Sequence, residues 1–165
     1  MPMSNTALIG TVAGLAGGQA LERVAQYMYD RTSPENVRLE TAIEPRDPFI
    51  VLTQKVAAEF GIDLTEQDEK TSEAIIKAVL CAGAGIAYVA AARRWSLGWL
   101  AGGAIFGTLF WLIEDEGMGP ALGLAGDNAK YPIEAHVRGF AAHVAFGITA
   151  ALVTEVLDGT RRRTT

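Results

Sequence analysis

Basic charge and cysteine are both scarce in this 165-residue chain. Its 14 lysines and arginines against 19 aspartates and glutamates give a net charge of −5 and an isoelectric point near 5.0. This balance excludes a nucleic-acid partner, because phosphates attract a basic surface. The single cysteine, Cys81, permits no internal disulfide. It lies in an apolar run rich in alanine and glycine, so we predict a packed thiol and not a reactive one.

Recognised catalytic motifs are missing as well. The sequence contains no nucleophile elbow, phosphate-binding loop, Cys/His cluster or dinucleotide fingerprint. Its two histidines do not stand at the HxxxH or ExxH spacings of metal-binding helices. We therefore expect no cofactor and no metal site, and we favour a non-enzymatic role over a membrane-embedded enzyme.

Long apolar segments dominate what is present. Half of the residues are hydrophobic and only 20% are charged, and the charges crowd into residues 30–73 and 114–138. Because a transmembrane helix needs roughly 20 mainly apolar residues, we predict one all-α domain, a four-helix transmembrane bundle. The predicted spans are residues 5–29, 72–92, 95–113 and 133–157.

The few clustered basic residues predict the orientation of these spans. Arg93 and Arg94 link the second and third spans, and three arginines at 161–163 follow the fourth. The positive-inside rule places both groups in the cytoplasm. Both termini are then cytoplasmic, and residues 30–71 and 114–132 form external loops.

The first apolar segment has a second interpretation. Gly18-Gln19-Ala20 resembles the small-residue cleavage site of a signal peptide. However, residues 1–21 contain no lysine or arginine, and a signal peptide begins with a basic region. We therefore predict a membrane span there.

The first external loop is predicted to contain a short amphipathic helix. In "DPFIVLTQKVAAEFG", Pro48 follows Asp47 as at a helix start, and Gly61 suits the helix end. We expect it to lie on the outer membrane surface or over the bundle, and docking of a partner is the alternative. The preceding "SPENVRLETAIEPRDP" should be extended or turn-like because of its prolines. Thr71 or Ser72 should cap the second span. The apolar face of the amphipathic helix is Phe49, Leu52, Val56 and Phe60.

Small residues recur at every fourth position in the predicted spans. Lipid gives helices no hydrophobic reason to associate, so this pattern indicates close helix packing. We predict one bundle held together by glycine faces. The alternative is that one glycine face serves a homo-oligomer or a larger membrane complex. The pairs include Gly10/Gly14, Gly14/Gly18, Gly98/Gly102, Gly103/Gly107, Ala135/Gly139 and His143/Gly147.

Ionisable residues gather toward the external end in this topology. We predict one polar cluster there, in which the basic members are counter-ions of the acidic ones. Asp115 should face inward, toward His136 or Arg138, whereas Glu116 should face water. Two roles stay open: a structural ion network, or a site that binds a small ion or headgroup or responds to protons through histidine. The cluster comprises Glu22, Arg23, Lys77, Glu114, Asp115, His136, Arg138 and His143.

The loop between the third and fourth spans carries a family resemblance. "GMGPALGLAGDNAKYP" is rich in turn residues, and its final proline suits the start of the fourth span. With the flanking "WLIEDE" and "IEAHVRGFAAHVAFG", it resembles the YagU-like family of bacterial inner-membrane proteins, whose domain has no assigned function. The resemblance implies a multi-span inner-membrane protein and transfers no activity. The matching residues are Trp111, Asp115, Glu116, Pro120, Leu122, Gly123, Leu124, Tyr131, Pro132, His136, His143 and Gly147.

These expectations combine into one hypothesis. The chain should be a multi-pass protein of a bacterial inner membrane, with the lipid bilayer as its partner and with a structural or accessory role, as a homo-oligomer or in a larger complex. The alternative is a small transport or proton-responsive component that uses the Asp/Glu–His–Arg cluster. The substrate, if there is one, is not encoded in any recognisable motif.

Overall fold

The structure, a computed structural model, describes residues 3–44, 46–94 and 97–162, with side chains except at 3, 4 and 159–162. Within these ranges the chain is all-helical, which confirms the predicted class. Two irregular turns, a π-helix (Glu114–Met118) and a 3₁₀-helix (Asn128–Lys130), lie between the last long helices. The α-helices are α1 (Met3–Tyr29), α2 (Pro34–Ile43), α3 (Pro48–Glu59), α4 (Glu66–Ala92), α5 (Trp99–Ile113), α6 (Gly119–Ala121) and α7 (Ile133–Arg162).

The four predicted spans correspond to the four longest helices, α1, α4, α5 and α7. Among the described residues, α4 over Glu66–Ala92 and α7 over Ile133–Asp158 are long and apolar enough to cross a membrane, judged by length and composition. Helix α5 has 15 residues and is shorter than a full span. Trp95 and Ser96, which begin the predicted third span, lie outside the described residues.

The long helices pack in the order α4, α1, α7, α5. Helix α1 lies between α4 and α7, and α7 also packs along α5. An edge-to-face contact between Tyr88 and Phe106, with ring centroids 5.4 Å apart, joins α4 to α5. Buried glycines of all four long helices line the crossings. The apolar core between the helices combines three alanines with four larger residues, and consists of Ile9, Ala13, Tyr88, Val89, Phe146, Ala150 and Ala151.

Several of the predicted glycines allow the helix backbones to touch, whereas, among the described residues, a Cβ added at Gly98 would have no neighbour within 4 Å and one at Gly102 none closer than 3.8 Å. A Cβ added at Gly14 on α1 would overlap the carbonyl of Cys81 on α4. One added at Gly103 on α5 would lie 2.6 Å from the carbonyl oxygen of Gly147 on α7. No side chain fits at these two crossings, so Gly14 and Gly103 pack helices of this one chain against each other. The Cys81 side chain is partly buried beside the core.

The segments that connect α1 to α4 and α5 to α7 lie at the same end of the bundle, which we call the loop end. There the Lys55 Nζ donates hydrogen bonds to the carbonyl oxygens of Leu122 (2.9 Å) and Gly123 (2.8 Å). At the opposite end, the Arg93 guanidinium lies 3.5 Å from the Asp158 carboxylate. The two segments that the sequence predicted as external loops therefore lie at one end of the bundle.

Helix α2 corrects the sequence prediction, which assigned an extended or turn-like segment to "SPENVRLETAIEPRDP". The Ser33 side chain accepts a hydrogen bond from the Asn36 backbone N–H at 3.2 Å and so caps the helix. Pro34 occupies the first turn, where its missing N–H costs nothing. Pro34, which we interpreted as a helix breaker, therefore lies in the first turn of a helix.

The predicted helix cap at Thr71 or Ser72 was also wrong. Helix α4 begins at Glu66, several residues before the expected caps Thr71 and Ser72. Thr65 and Asp68 form a capping box, in which each side chain accepts a hydrogen bond from the other residue's backbone N–H. The apolar span is thus the continuation of a longer, partly polar helix.

Helix α3 begins and ends where the sequence predicted. The Asp47 carboxylate caps it by accepting from the Phe49 backbone N–H at 2.8 Å, and Gly61 follows it with a φ of 64°. Its buried face differs from the predicted apolar face. Thr53 and Ala57 are buried on a helix that packs against α4, whereas Phe60 is 76% exposed.

Candidate functional site

Three consecutive acids lie where α5 passes into the π-helix at the loop end. An α-helix directs consecutive side chains about 100° apart, and the wider π turn changes that spacing and recurs at functional sites. Glu114, Asp115 and Glu116 are all partly buried. Glu114 pairs with His143 and Glu116 pairs with His136, both on α7. Asp115 lies close to His143.

His143 is the most buried ionisable group at this end, with 5% of its surface exposed. Its Nε2 lies 3.1 Å from Glu114 Oε2, and its Nδ1 lies 2.9 Å from the Gly139 carbonyl oxygen and 3.6 Å from Asp115 Oδ2. Glu114, Asp115 and His143 each offer a ligand atom within 4.8 Å of the other two. We call these three side chains the His143 centre.

The hydrogen bonds of His143 define where its protons are. A carbonyl oxygen only accepts, so Nδ1 carries a hydrogen and donates it to Gly139. A bare Nε2 and an ionised Glu114 carboxylate would both be acceptors. Their 3.1 Å contact therefore contains one proton, bound either to the histidine or to the acid. This proton is the one that another cation can replace.

Asp115 lies beside a glycine that makes room for it. A Cβ on Gly139 would come within 2.6 Å of Asp115 Oδ2 and 3.1 Å of Trp111 Nε1. Burial raises the pKa of the Asp115 carboxyl to about 6, opposed by His143 and reinforced by neighbouring carboxylates. The side chain is nevertheless 40% exposed, because it forms the outer edge of the centre. Trp111 Nε1 is buried and has no hydrogen-bond partner within the described residues.

The second histidine forms a separate pair with the third acid. His136 Nδ1 lies 2.6 Å from Glu116 Oε1, and its Nε2 lies 3.1 Å from the Asn128 carbonyl oxygen. The Asn128 side-chain amide donates to the same Glu116 carboxylate at 2.8 Å. Both ring nitrogens of His136 are therefore engaged in holding the α5–α7 loop to α7.

The predicted orientations of the acids were wrong. Glu116, which we expected to face water, contacts His136. Asp115, which we expected near His136 or Arg138, lies closest to His143 among the basic side chains. The expectation treated the acids as the end of a regular α-helix, and the π turn changes which side chains face α7.

The predicted counter-ions also have other partners. Arg138 pairs with Glu40 on α2 at 2.5 Å, and these side chains are only 16% and 10% exposed. Lys77 on α4 pairs with Asp47 at 3.0 Å and with Glu73 at 2.5 Å. The sequence interpretation missed Glu40 because it predicted no helix there. The i, i+4 spacing of Glu73 and Lys77 was the available signal for the second pair.

The remaining predicted residues divide between the loop and the surface. Tyr131 donates a hydrogen bond to the Glu44 carboxylate at 2.5 Å and accepts one from the Gly126 backbone N–H at 3.2 Å. Burial raises the pKa of Glu44, and the bond from Tyr131 opposes this shift. Pro120 lies in α6, and Pro132 directly precedes α7. Glu22 and Arg23 are exposed on α1 and join neither histidine pair.

This arrangement can hold a proton or a cation. The His143 centre combines one imidazole with two carboxylates, a nitrogen and oxygen donor set that suits divalent metal ions. Comparisons of this chain with protein-family models, with curated proteins and with solved structures found no match. The resemblance to the YagU-like family stays a prediction.

Proposed function

We propose that the protein is a four-span integral protein of a bacterial inner membrane, with cytoplasmic termini, that acts as a structural or accessory component. The observation that supports a membrane role is the distribution of large apolar side chains. They lie outside the bundle on all four long helices, while small residues fill much of the inside.

The exposed apolar residues would be costly in water. A water-soluble bundle buries most of its large apolar side chains, whereas a membrane bundle packs small residues inside and directs large ones to lipid. The following twelve residues of α1, α4, α5 and α7 are between 40% and 64% exposed: Leu8, Val12, Leu15, Ile75, Val79, Leu100, Ile105, Leu109, Leu112, Val137, Phe140 and Leu152.

The interior supports an accessory role over transport. Directly below the His143 centre, Phe110 packs edge-on against the His143 ring with centroids 5.1 Å apart, and Phe146 lies 5.2 Å from Phe110. Phe146 is fully buried. These rings separate the polar loop end from the rest of the core. A cleft of about 200 Å³, lined in part by Met28 and Ile133 where α1 ends and α7 begins, lies at the rim.

Site-directed labelling tests the topology. On a Cys81→Ala background, Asp63→Cys and Asp127→Cys should react with a membrane-impermeant maleimide in spheroplasts. Arg94→Cys should react only after permeabilisation. The reverse pattern would contradict the orientation, and equal labelling of all three positions without permeabilisation would contradict the membrane role.

Reconstitution separates an accessory role from transport. Liposomes that contain the protein and a pH-sensitive dye should show the same proton flux across an imposed pH gradient as protein-free liposomes. A channel-forming peptide provides the positive control. A flux that rises with the amount of protein would favour the transport alternative.

A further inference from the structure

We propose that Glu114, Asp115 and His143 bind one divalent transition-metal ion, for which Zn²⁺ is the test ion. The three side chains come from α7 and from the junction of α5 with the π-helix, and their ligand atoms already lie within 4.8 Å of one another. The proposal depends on this geometry and not on the accessory role, so it stands whether or not the membrane topology is correct.

The histidine is oriented as metal-binding histidines are. Its Nδ1–H donates to the Gly139 carbonyl oxygen at 2.9 Å, and such a second hydrogen bond fixes the ring and increases the basicity of the other nitrogen. Nε2 is then the ligand atom, and Glu114 Oε2 faces it at 3.1 Å. Two ligands about 2.0–2.1 Å from a tetrahedral zinc ion lie roughly 3.3 Å apart, so this pair needs almost no movement.

Asp115 supplies the third ligand and is the most exposed side chain of the His143 centre. Its side chain is 40% exposed, compared with 24% for Glu114 and 6% for His143. Asp115 Oδ2 lies 3.6 Å from His143 Nδ1, so this carboxylate borders the same ring whose Nε2 faces Glu114. Two carboxylates and one neutral imidazole carry a charge of −2 when all are deprotonated, which matches a divalent cation. Three protein ligands leave one coordination position open for an oxygen ligand.

A buried donor beside the centre points independently to such an oxygen ligand. Trp111 Nε1 carries a hydrogen, is buried, and has no acceptor within the described part of the chain. A Cβ built on Gly139 would lie 3.1 Å from Trp111 Nε1 and 2.6 Å from Asp115 Oδ2, so both atoms border the same space beside Gly139. A buried N–H without a partner is costly. A water molecule bound to the ion next to Asp115 would provide the missing acceptor.

The other histidine pair provides a matched control within the same chain. His136 lies beside Glu116 at 2.6 Å, but its second nitrogen faces the Asn128 carbonyl oxygen. It forms no three-residue group of converging metal ligands within the described residues. Both histidines lie on α7 and both contact an acid of the same triplet, so non-specific binding would affect them alike.

The test is a calorimetric titration of Zn²⁺ into the full-length protein. The protein is purified in detergent without a polyhistidine tag and is stripped of metal with a chelator. We expect one ion per chain. Glu114→Gln, Asp115→Asn and His143→Gln should each weaken binding at least about tenfold, since loss of a group that merely orients a metal ligand already costs about 10–100-fold. His136→Gln should leave the affinity within about twofold.

Two further measurements keep the test decisive if a variant is unstable. Zn²⁺ should raise the melting temperature of the wild type and of His136→Gln but not of Asp115→Asn. Co²⁺ in place of Zn²⁺ should give an absorption spectrum that changes with His143→Gln and not with His136→Gln. The proposal is overturned if no ion binds, if Glu114→Gln and Asp115→Asn bind as the wild type does, or if His136→Gln loses as much affinity as His143→Gln.

Discussion

At the scale of single residues, the two histidines show how neighbours decide what an ionisable group can do. His136 has both nitrogens engaged by the loop that it holds. In His143, Nδ1 donates to the Gly139 carbonyl oxygen and Nε2 faces the Glu114 carboxylate. The ring of His143 also packs edge-on against Phe110. The same residue type, two helical turns apart, is therefore structural in one place and a candidate ligand in the other.

The buried ion pair between Arg138 and Glu40 yields a stability prediction. Glu40→Gln leaves the Arg138 charge without its partner in a site where both side chains are largely buried. We expect a loss of about 3 kcal/mol in the free energy of unfolding, measured by chemical unfolding in detergent. Glu66→Gln is the control, because the Glu66–Lys70 pair is 81% and 62% exposed and such pairs contribute little. Equal losses in the two variants would contradict the prediction.

Glu44 yields a prediction about pH. Its pKa is raised above 4.5 in the folded state, chiefly by burial, so the folded chain holds this proton more tightly than the unfolded chain. The resulting stabilisation is complete below the ordinary pKa and is lost as pH rises through the raised pKa. Glu44→Gln cannot titrate. The melting temperature of the wild type relative to Glu44→Gln should therefore rise as the pH is lowered from 7.5 to below 4.5. A constant difference would count against this account.

At the scale of elements, glycine placement explains how the long helices approach. The crossings between α1 and α4 and between α5 and α7 are backbone contacts at Gly14 and Gly103. The irregular π turn has a comparable effect on direction, since it presents the acids of Glu114–Met118 to α7. Helix α2 brings Glu40 to Arg138 across the loop end. The π turn and α2 thus bring charged side chains to α7, where Arg138 and the two histidines lie.

Two glycine substitutions test the packing of the long helices. Gly147→Ala would place a methyl group against the backbone of Gly103 and Gly107, which cannot move aside. We expect a loss of about 2–3 kcal/mol, as for overpacked cores. Gly83→Ala, on an open face of α4, should instead gain up to about 1 kcal/mol from its better helix propensity. Chemical unfolding of both variants in the same detergent compares them, and a neutral Gly147→Ala would show that the crossing is loose.

At the scale of the whole molecule, glycines lie at the helix crossings and many large apolar side chains are exposed on the long helices. Many of the polar contacts lie at the loop end, where the α5–α7 loop contacts α3 and Glu44 and where α2 contacts α7. One end of the bundle is therefore chemically distinct from its apolar middle.

A pair of charged substitutions tests whether the apolar exterior faces lipid. Val79 lies at the middle of α4 and is 64% exposed, and Ile62 lies in the α3–α4 connection and is 57% exposed. A lysine at the centre of a span costs about 2.5–3.5 kcal/mol on insertion scales. Val79→Lys should therefore reduce the amount of protein in alkali-resistant membranes, while Ile62→Lys should not. Equal tolerance of both would indicate that α4 faces water.

Much of the fold followed from local pattern. Apolar length and glycine spacing are properties of contiguous residues, so the sequence by itself determined the long helices, the all-α class and the close packing at Gly103 and Gly147. The capping chemistry at Asp47 and Gly61 was equally local. Local pattern gave the wrong result for α2. Proline interrupts the interior of a helix, but in the first turn it is tolerated, and Pro34 occupies the first turn of α2.

The pairing of charges was decided only by the tertiary structure. Glu40 and Arg138 are 98 residues apart, and Tyr131 and Glu44 are 87 apart, so no local pattern could join them. The assignment of Glu114 and Asp115 to His143, and of Glu116 to His136, depends on a single π turn. The turn decides which acid faces which histidine, although the order of residues along the chain is the same. The reason is that electrostatic and metal-ligand contacts depend on distance in space and not on distance along the chain.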